Sequence, residues 1–128
     1  MPDIRTAVAA RMLLGMAAAI TLYMALQPHP PALPIDALGD KFEHSLAFVT
    51  LGLLAALAFP KVGLVRIGER LSFFGALIEV CQAVPALHRD CDIWDWVTDT
   101  VAITLVLIIV HGLRQLRARQ LVAGPISR

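Results

Sequence analysis

The sequence predicts an all-α fold: a bundle of four transmembrane helices that forms one domain over residues 1–128. Apolar residues make up 58% of the chain and charged residues only 16%, which is too hydrophobic for a soluble domain of this length. The apolar residues fall into four segments of about 20 residues, the length that a helix needs to cross roughly 30 Å of hydrocarbon. A net charge of +1 without a basic cluster argues against a nucleic-acid-binding protein.

The four predicted spans cover approximately residues 6–26, 41–60, 64–84 and 93–113. The first contains a long uncharged run, and a group of prolines from Pro28 onward ends it, because proline cannot continue a helix. The third span is the weakest, since Arg66, Glu69 and Arg70 lie in its first turns and Glu79 interrupts the remainder. We nevertheless count it as a membrane span because of the distribution of positive charge along the chain.

With four crossings, nine of the eleven Lys and Arg residues lie on one side of the membrane, and only Lys41 and Arg89 lie on the other. Positive charge concentrates in cytoplasmic loops, so this pattern predicts a multi-pass protein of the cytoplasmic membrane with both termini inside the cell. A cleavable signal peptide is the alternative for the first segment. We find no small-x-small cleavage site before Pro28, so we interpret this segment as a retained helix.

Polar side chains recur near one end of each of the last three spans, and all these ends face outward in the predicted topology. They are Asp40, Lys41 and His44 in the second span, Glu79 and Gln82 in the third, and Arg89, Asp92, Asp95 and Asp99 in or before the fourth. Spacings of three, four and seven place the members on one face of each helix. Ionisable groups at membrane depth are costly and mark functional sites, so we expect these faces to form a shallow polar cup.

The loop of residues 85–92 is short and brings Arg89 above the cup, so we expect Arg89 to be the counter-ion of Glu79 or Asp92. Carboxylates nevertheless outnumber cations near the cup, where Glu43 and Asp90 add to the acidic residues named above. Two pairs of small residues four positions apart, Gly15 with Ala19 and Gly52 with Ala56, predict close helix packing.

Three ordered blocks resemble the VanZ-like membrane proteins, a family named for a protein associated with resistance to the glycopeptide teicoplanin. The blocks are Asp40-Lys41-x-x-His44, Gly75 through Glu79-x-x-Gln82, and Arg89 with Asp92, Asp95 and position 99. They cover about residues 40–107. The chain has Asp99 where the family usually has Asn, and Val101 to Thr104 replace a Gly-rich stretch.

The resemblance implies a role at the cell envelope and an altered response to cell-wall antibiotics, and it names no reaction. Our main hypothesis is that the cup binds a membrane lipid, a lipid-linked envelope precursor or a glycopeptide. The expected ligand-binding residues are Asp40, Lys41, Gln82, Arg89, Asp92 and Asp99.

Two other interpretations stay open. In an enzyme that modifies a lipid-linked precursor, His44, Glu79 or Asp95 would act as general acid or base, although the chain has no nucleophile elbow, HExxH helix or phosphate-binding glycine loop. In a purely structural bundle, the polar residues would only join the helices. A site for a hard divalent cation on His44, Glu79, Asp92, Asp95 or Asp99 also stays open, because oxygen ligands are in excess. No dense ligand motif supports it, so we assign no metal and name no cofactor.

Overall fold

Residues 2–124, the part of the chain that the computed structural model describes, contain two short 3₁₀ turns, at residues 36–38 and 85–87, and four α-helices. The helices are α1 (Ile4–Leu26), α2 (Asp40–Ala58), α3 (Leu64–Gln82) and α4 (Ile93–Ala123). This confirms the all-α prediction, and each helix begins within two residues of its expected start. The largest difference is at α4, which continues to Ala123 instead of ending near residue 113.

Local capping explains where the helices begin. The Asp3 carboxylate accepts a hydrogen bond of 2.7 Å from the backbone N–H of Thr6 at the start of α1. Asp92 caps α4 in the same way, accepting from the N–H of Trp94 at 2.9 Å. Gly39 precedes α2 with φ of +94°, a conformation that residues with a Cβ rarely adopt.

Three of the helices, α1, α2 and α4, are long and apolar enough to cross a membrane by length and composition. Their large apolar side chains are widely exposed, for example Met16 and Ile20 of α1 and Ile108 of α4, each about 60% exposed. Exposed apolar surface on this scale indicates a membrane protein. The α3 helix has the same length as α2 but carries four charged residues, and it does not meet these criteria.

The α2 helix lies at the centre of the bundle, with α1 and α4 packed on it and α3 packed mainly on α4. Gly52 allows the close approach of α2 to α4, because a Cβ added there would lie 2.7 Å from Cγ1 of Val106. This confirms the predicted packing role of Gly52. The same expectation for Gly15 is wrong: no neighbouring atom lies within 4 Å of its Cβ position.

Two arginines cap the C-terminal end of α2. Arg11 Nε donates to the carbonyl of Ala58 at 3.0 Å, and Arg114 Nη2 donates to the carbonyl of Ala56 at 2.9 Å. The last carbonyls of a helix lack partners within it, and positive charge at that end is favourable. One end of the bundle is therefore basic, and the predicted polar residues lie at the other.

Candidate functional site

A cavity of about 550 Å³ opens at the end of the bundle where α2 and α4 begin and α3 ends. Six of the nine predicted site residues line it: Asp40, Lys41, Gln82, Arg89, Asp92 and Asp95. The other three, His44, Glu79 and Asp99, lie deeper, and each contacts a neighbouring polar group of another helix. We refer to these nine residues and the cavity as the polar cup. The structure thus brings all of the predicted residues to one end of the bundle.

Lys41 joins α2 to α4 at the rim of the polar cup. Its Nζ lies 2.8 Å from Oδ1 of Asp95 and 3.3 Å from Oδ2 of Asp92. The pKa of the Asp92 carboxyl lies below its ordinary value, because the carboxylate accepts the Trp94 backbone N–H and, to a smaller extent, because Lys41 lies beside it. Asp92 therefore remains charged over the neutral range and keeps Lys41 engaged.

His44 lies below Lys41 on the same face of α2 and contacts three carboxylates. Its Nδ1 is 3.1 Å from Oδ1 of Asp99, while its Nε2 is 3.8 Å from Oδ2 of Asp40 and 3.9 Å from Oδ2 of Asp95. The Asp99 side chain is only 1% exposed. Because this buried carboxylate pairs with Nδ1, it orients the imidazole so that Nε2 lies on the side of Asp40 and Asp95.

The backbone of α3 leaves room for Asp99. A Cβ added to Gly75 would lie 3.3 Å from Oδ2 of Asp99 and 3.4 Å from Cζ of Phe48. Phe48 is itself buried and packs against Phe74, with ring centroids 6.2 Å apart. The polar cup therefore rests directly on the apolar core, with Gly75 and Phe48 as its floor.

Glu79 is 6% exposed and points into the bundle, as the sequence predicts. Its Oε2 accepts a hydrogen bond of 3.1 Å from the backbone N–H of Asp92, which ties α3 to the start of α4. Its Oε1 is buried and has no hydrogen-bond partner among residues 2–124. A buried carboxylate oxygen without a partner carries an uncompensated desolvation cost, so it requires an explanation.

Gln82 has a structural contact in addition to its place in the polar cup. The side chain is 2% exposed, and its Nε2 donates to the carbonyl of Ala25 at 2.9 Å. This bond satisfies one of the carbonyls left open at the C-terminal end of α1. Gln82 therefore fixes α1 against α3, the kind of interhelical contact that the structural interpretation of the polar residues expects.

The predicted ion pair of Arg89 with Glu79 or Asp92 is wrong. Within the described part of the chain, no carboxylate lies within 4.0 Å of the Arg89 guanidinium, and Lys41 takes the place of Arg89 beside Asp92. Arg89 follows His88, which adopts a left-handed backbone conformation, and it lines the cavity from the α3–α4 loop. Its guanidinium is therefore available to a ligand.

Three polar residues that join α3 to α4 were missed by the sequence analysis. The hydroxyls of Ser72 and Thr100 are 2.8 Å apart, and Trp96 Nε1 donates to the carbonyl of Ser72 at 3.0 Å. These contacts lie between the helices below the cup. Ser and Thr are common in apolar helices, where their hydroxyls often donate to a carbonyl of the same helix. The sequence therefore did not indicate that Ser72 and Thr100 bond each other across two helices.

The arrangement offers three kinds of chemistry: hydrogen-bond acceptors, an oriented imidazole and one cation without a carboxylate partner. The N-terminal ends of α2 and α4 both lie at the cup, and their positive dipoles favour the carboxylates of Asp40, Asp92 and Asp95. In comparisons with family models, curated proteins and solved structures, nothing matches this chain. The resemblance to the VanZ-like proteins therefore stays a prediction that rests on the three sequence blocks.

Proposed function

We propose that the protein is a VanZ-like protein of the cytoplasmic membrane that crosses the bilayer four times and binds an envelope ligand in an outward-facing polar cup. The ligand is the head group of an envelope lipid or lipid-linked precursor, or part of a glycopeptide antibiotic. One observation supports this most directly: polar side chains from α2, α3 and α4 converge on one cavity at the end opposite the basic end of the bundle.

The basic end of the bundle supports the proposed orientation of the protein in the membrane. Arg11 and Arg114 bind the C-terminal carbonyls of α2, and Lys61 follows that helix in the α2–α3 loop. A cytoplasmic position of this end satisfies the positive-inside rule and places both termini inside. The α3 helix then crosses the membrane with Ser72, Glu79 and Gln82 turned to the other helices. Its exposed charged residues, Arg66, Glu69 and Arg70, lie in its first two turns at the basic end. The Glu79 carboxylate is buried inside the bundle and therefore does not face lipid.

The charges of the cup define the ligand chemistry. Arg89 has no carboxylate partner within the described residues and can bind a phosphate or carboxylate through paired N–H groups. Asp40 and the Nε2 edge of His44 can bond hydroxyl or amine groups of the same ligand. A cavity of about 550 Å³ suits a head group or one edge of a glycopeptide.

Binding can be measured by native mass spectrometry of the purified full chain with a lipid-linked cell-wall precursor. Replacing Arg89 by Ala should weaken binding at least about tenfold, because it removes a charge-assisted hydrogen bond. Arg117→Ala is the matched control, since Arg117 is exposed on α4 beyond the basic end. Equal affinities of the two variants, or no binding by the parent, would contradict the proposal.

A second candidate function is catalysis on the same lipid-linked precursor, and the His44–Asp99 pair favours it. A buried carboxylate on Nδ1 holds an imidazole in the orientation that a general base requires. His44 Nε2 would be that base, with Asp95 or Glu79 as the acid. Mass spectrometry of the lipid after incubation with the protein separates the two functions: a mass change that His44→Gln abolishes supports catalysis, and an unchanged lipid supports binding alone.

A further inference from the structure

The three deepest residues of the polar cup form a mixed nitrogen and oxygen ligand set. His44 comes from α2, Glu79 from α3 and Asp99 from α4, and each offers one ligand atom within 4.8 Å of the other two. Two ligands bound at about 2.1 Å to one metal ion are at most about 4.2 Å apart. Small side-chain movements therefore suffice to bring all three atoms onto one ion.

The buried Oε1 of Glu79 is the independent observation that points to a ligand. Glu79 is more than nine-tenths buried, and this oxygen has no partner among the described residues. The nearby cations do not compensate it: Lys41 binds Asp92 and Asp95, and Arg89 pairs with no carboxylate of the described chain. Leaving such an oxygen unpaired is costly in a low-dielectric interior, so a bound cation would remove a real penalty.

We propose that His44, Glu79 and Asp99 bind a divalent transition-metal ion, with Zn²⁺ preferred. Imidazole nitrogen together with carboxylate oxygen suits Zn²⁺ better than Mg²⁺ or Ca²⁺, which take oxygen ligands almost exclusively. Two carboxylates and a neutral imidazole also balance the charge of a divalent ion, which matters at a buried position. Each of the three helices contributes one ligand, so the ion would hold their ends together.

A second ligand set, Asp40, His44 and Asp95, shares His44 but fits less well. Asp40 is exposed, and Asp95 already has Lys41 at 2.8 Å. Within the described chain, neither carboxylate has a buried oxygen that lacks a hydrogen-bond partner. The buried set is therefore the one that the structure favours.

Three protein ligands leave a coordination position for water or a ligand atom, as in catalytic zinc sites. An ion held by the three deep residues of the polar cup could then bind an anionic oxygen of a head group from below while Arg89 binds it from the rim. The binding of a head group by the ion rests on the proposed function, whereas the metal site itself does not. A test with metal ions alone therefore distinguishes failure of the site from failure of the lipid proposal.

The full chain, purified in detergent and stripped with a chelator, is dialysed against Zn²⁺, and the bound metal is measured by inductively coupled plasma mass spectrometry. We expect about one ion per chain for the parent and an affinity at least about tenfold lower for Glu79→Gln. Gln can still accept the Asp92 backbone N–H, so this variant keeps the structural bond of Glu79. Asp90→Asn, which removes an exposed carboxylate that lines the same cavity, should bind like the parent.

The thermal unfolding midpoint provides a second readout. Zn²⁺ should raise it for the parent and for Asp90→Asn but not for Glu79→Gln, while the midpoints without metal report whether each variant is folded. If Glu79→Gln fails to fold, Asp99→Asn takes its place in both measurements. Less than about a tenth of an ion per parent chain, or equal binding by Glu79→Gln and Asp90→Asn, would overturn the proposal.

Discussion

Replacing Phe48 by Ala should lower the free energy of unfolding by about 2 kcal/mol or more and should also weaken ligand binding in the polar cup. Phe48 is 1% exposed, and its ring packs on Phe74 and beneath Gly75. The loss should be smaller than in a soluble core, because the unfolded helices keep their apolar groups in lipid. The substitution would still leave an empty space directly below Asp99, and this space should loosen the polar cup and weaken ligand binding. Unfolding by SDS in mixed micelles measures the change.

Phe73→Ala is the matched control for this prediction. Phe73 lies on α3, next to Phe74, but its side chain is 65% exposed on the outer face of the bundle. Its removal should change the free energy of unfolding by no more than about 0.5 kcal/mol. If the two Phe variants lose the same stability, Phe48 is not the floor of the site.

The second large effect concerns the buried pair of His44 and Asp99. In metal-free protein, His44→Leu should lower the free energy of unfolding by about 2–3 kcal/mol, because it removes the hydrogen-bond partner of a carboxylate that is 1% exposed. The double variant His44→Leu with Asp99→Leu should recover stability to within about 1 kcal/mol of the parent, because the buried carboxylate that loses its partner is removed as well. The same SDS titration measures both variants.

This pair of variants also separates function from structure. If His44 and Asp99 exist to bind a ligand or an ion, the double variant should be stable and unable to bind. If they exist to hold the bundle together, the double variant should be at least as unstable as His44→Leu. The second result would support the interpretation of the polar residues as interhelical contacts.

Much of the fold and of the site could be predicted from periodicity and charge. The four apolar segments gave the helices, and spacings of three and four placed His44, Glu79, Asp95 and Asp99 on inward faces, where the structure has them. The reason is physical: a charged group well inside a span is too costly to face lipid, whereas Arg66, Glu69 and Arg70, in the first two turns of α3, are exposed.

The partners of individual side chains could not be predicted, because they depend on which helices are neighbours. Sequence order favoured α3 beside α4, which the structure has, but it did not indicate that α2 also packs on α4, so Arg89 was assigned to Glu79 or Asp92. The close approach of α2 to α4 at Gly52 instead brings Lys41 to Asp92 and Asp95. Nothing in the chain order indicates that α2 lies at the centre of the bundle. Likewise, Gly15 resembles Gly52 in sequence but has open space beside it.

The central claim is that the polar cup opens on the outer surface of the membrane, and its most direct test is labelling of single cysteines with a membrane-impermeant thiol reagent. Cys81 and Cys91 are free thiols in the structure and are first replaced by Ser. His88→Cys lies in the α3–α4 loop beside the cup, and Lys61→Cys lies in the α2–α3 loop at the basic end. In intact cells or spheroplasts, we expect labelling of His88→Cys from outside and labelling of Lys61→Cys only after the membrane is opened. Labelling of His88→Cys only from inside would contradict the account.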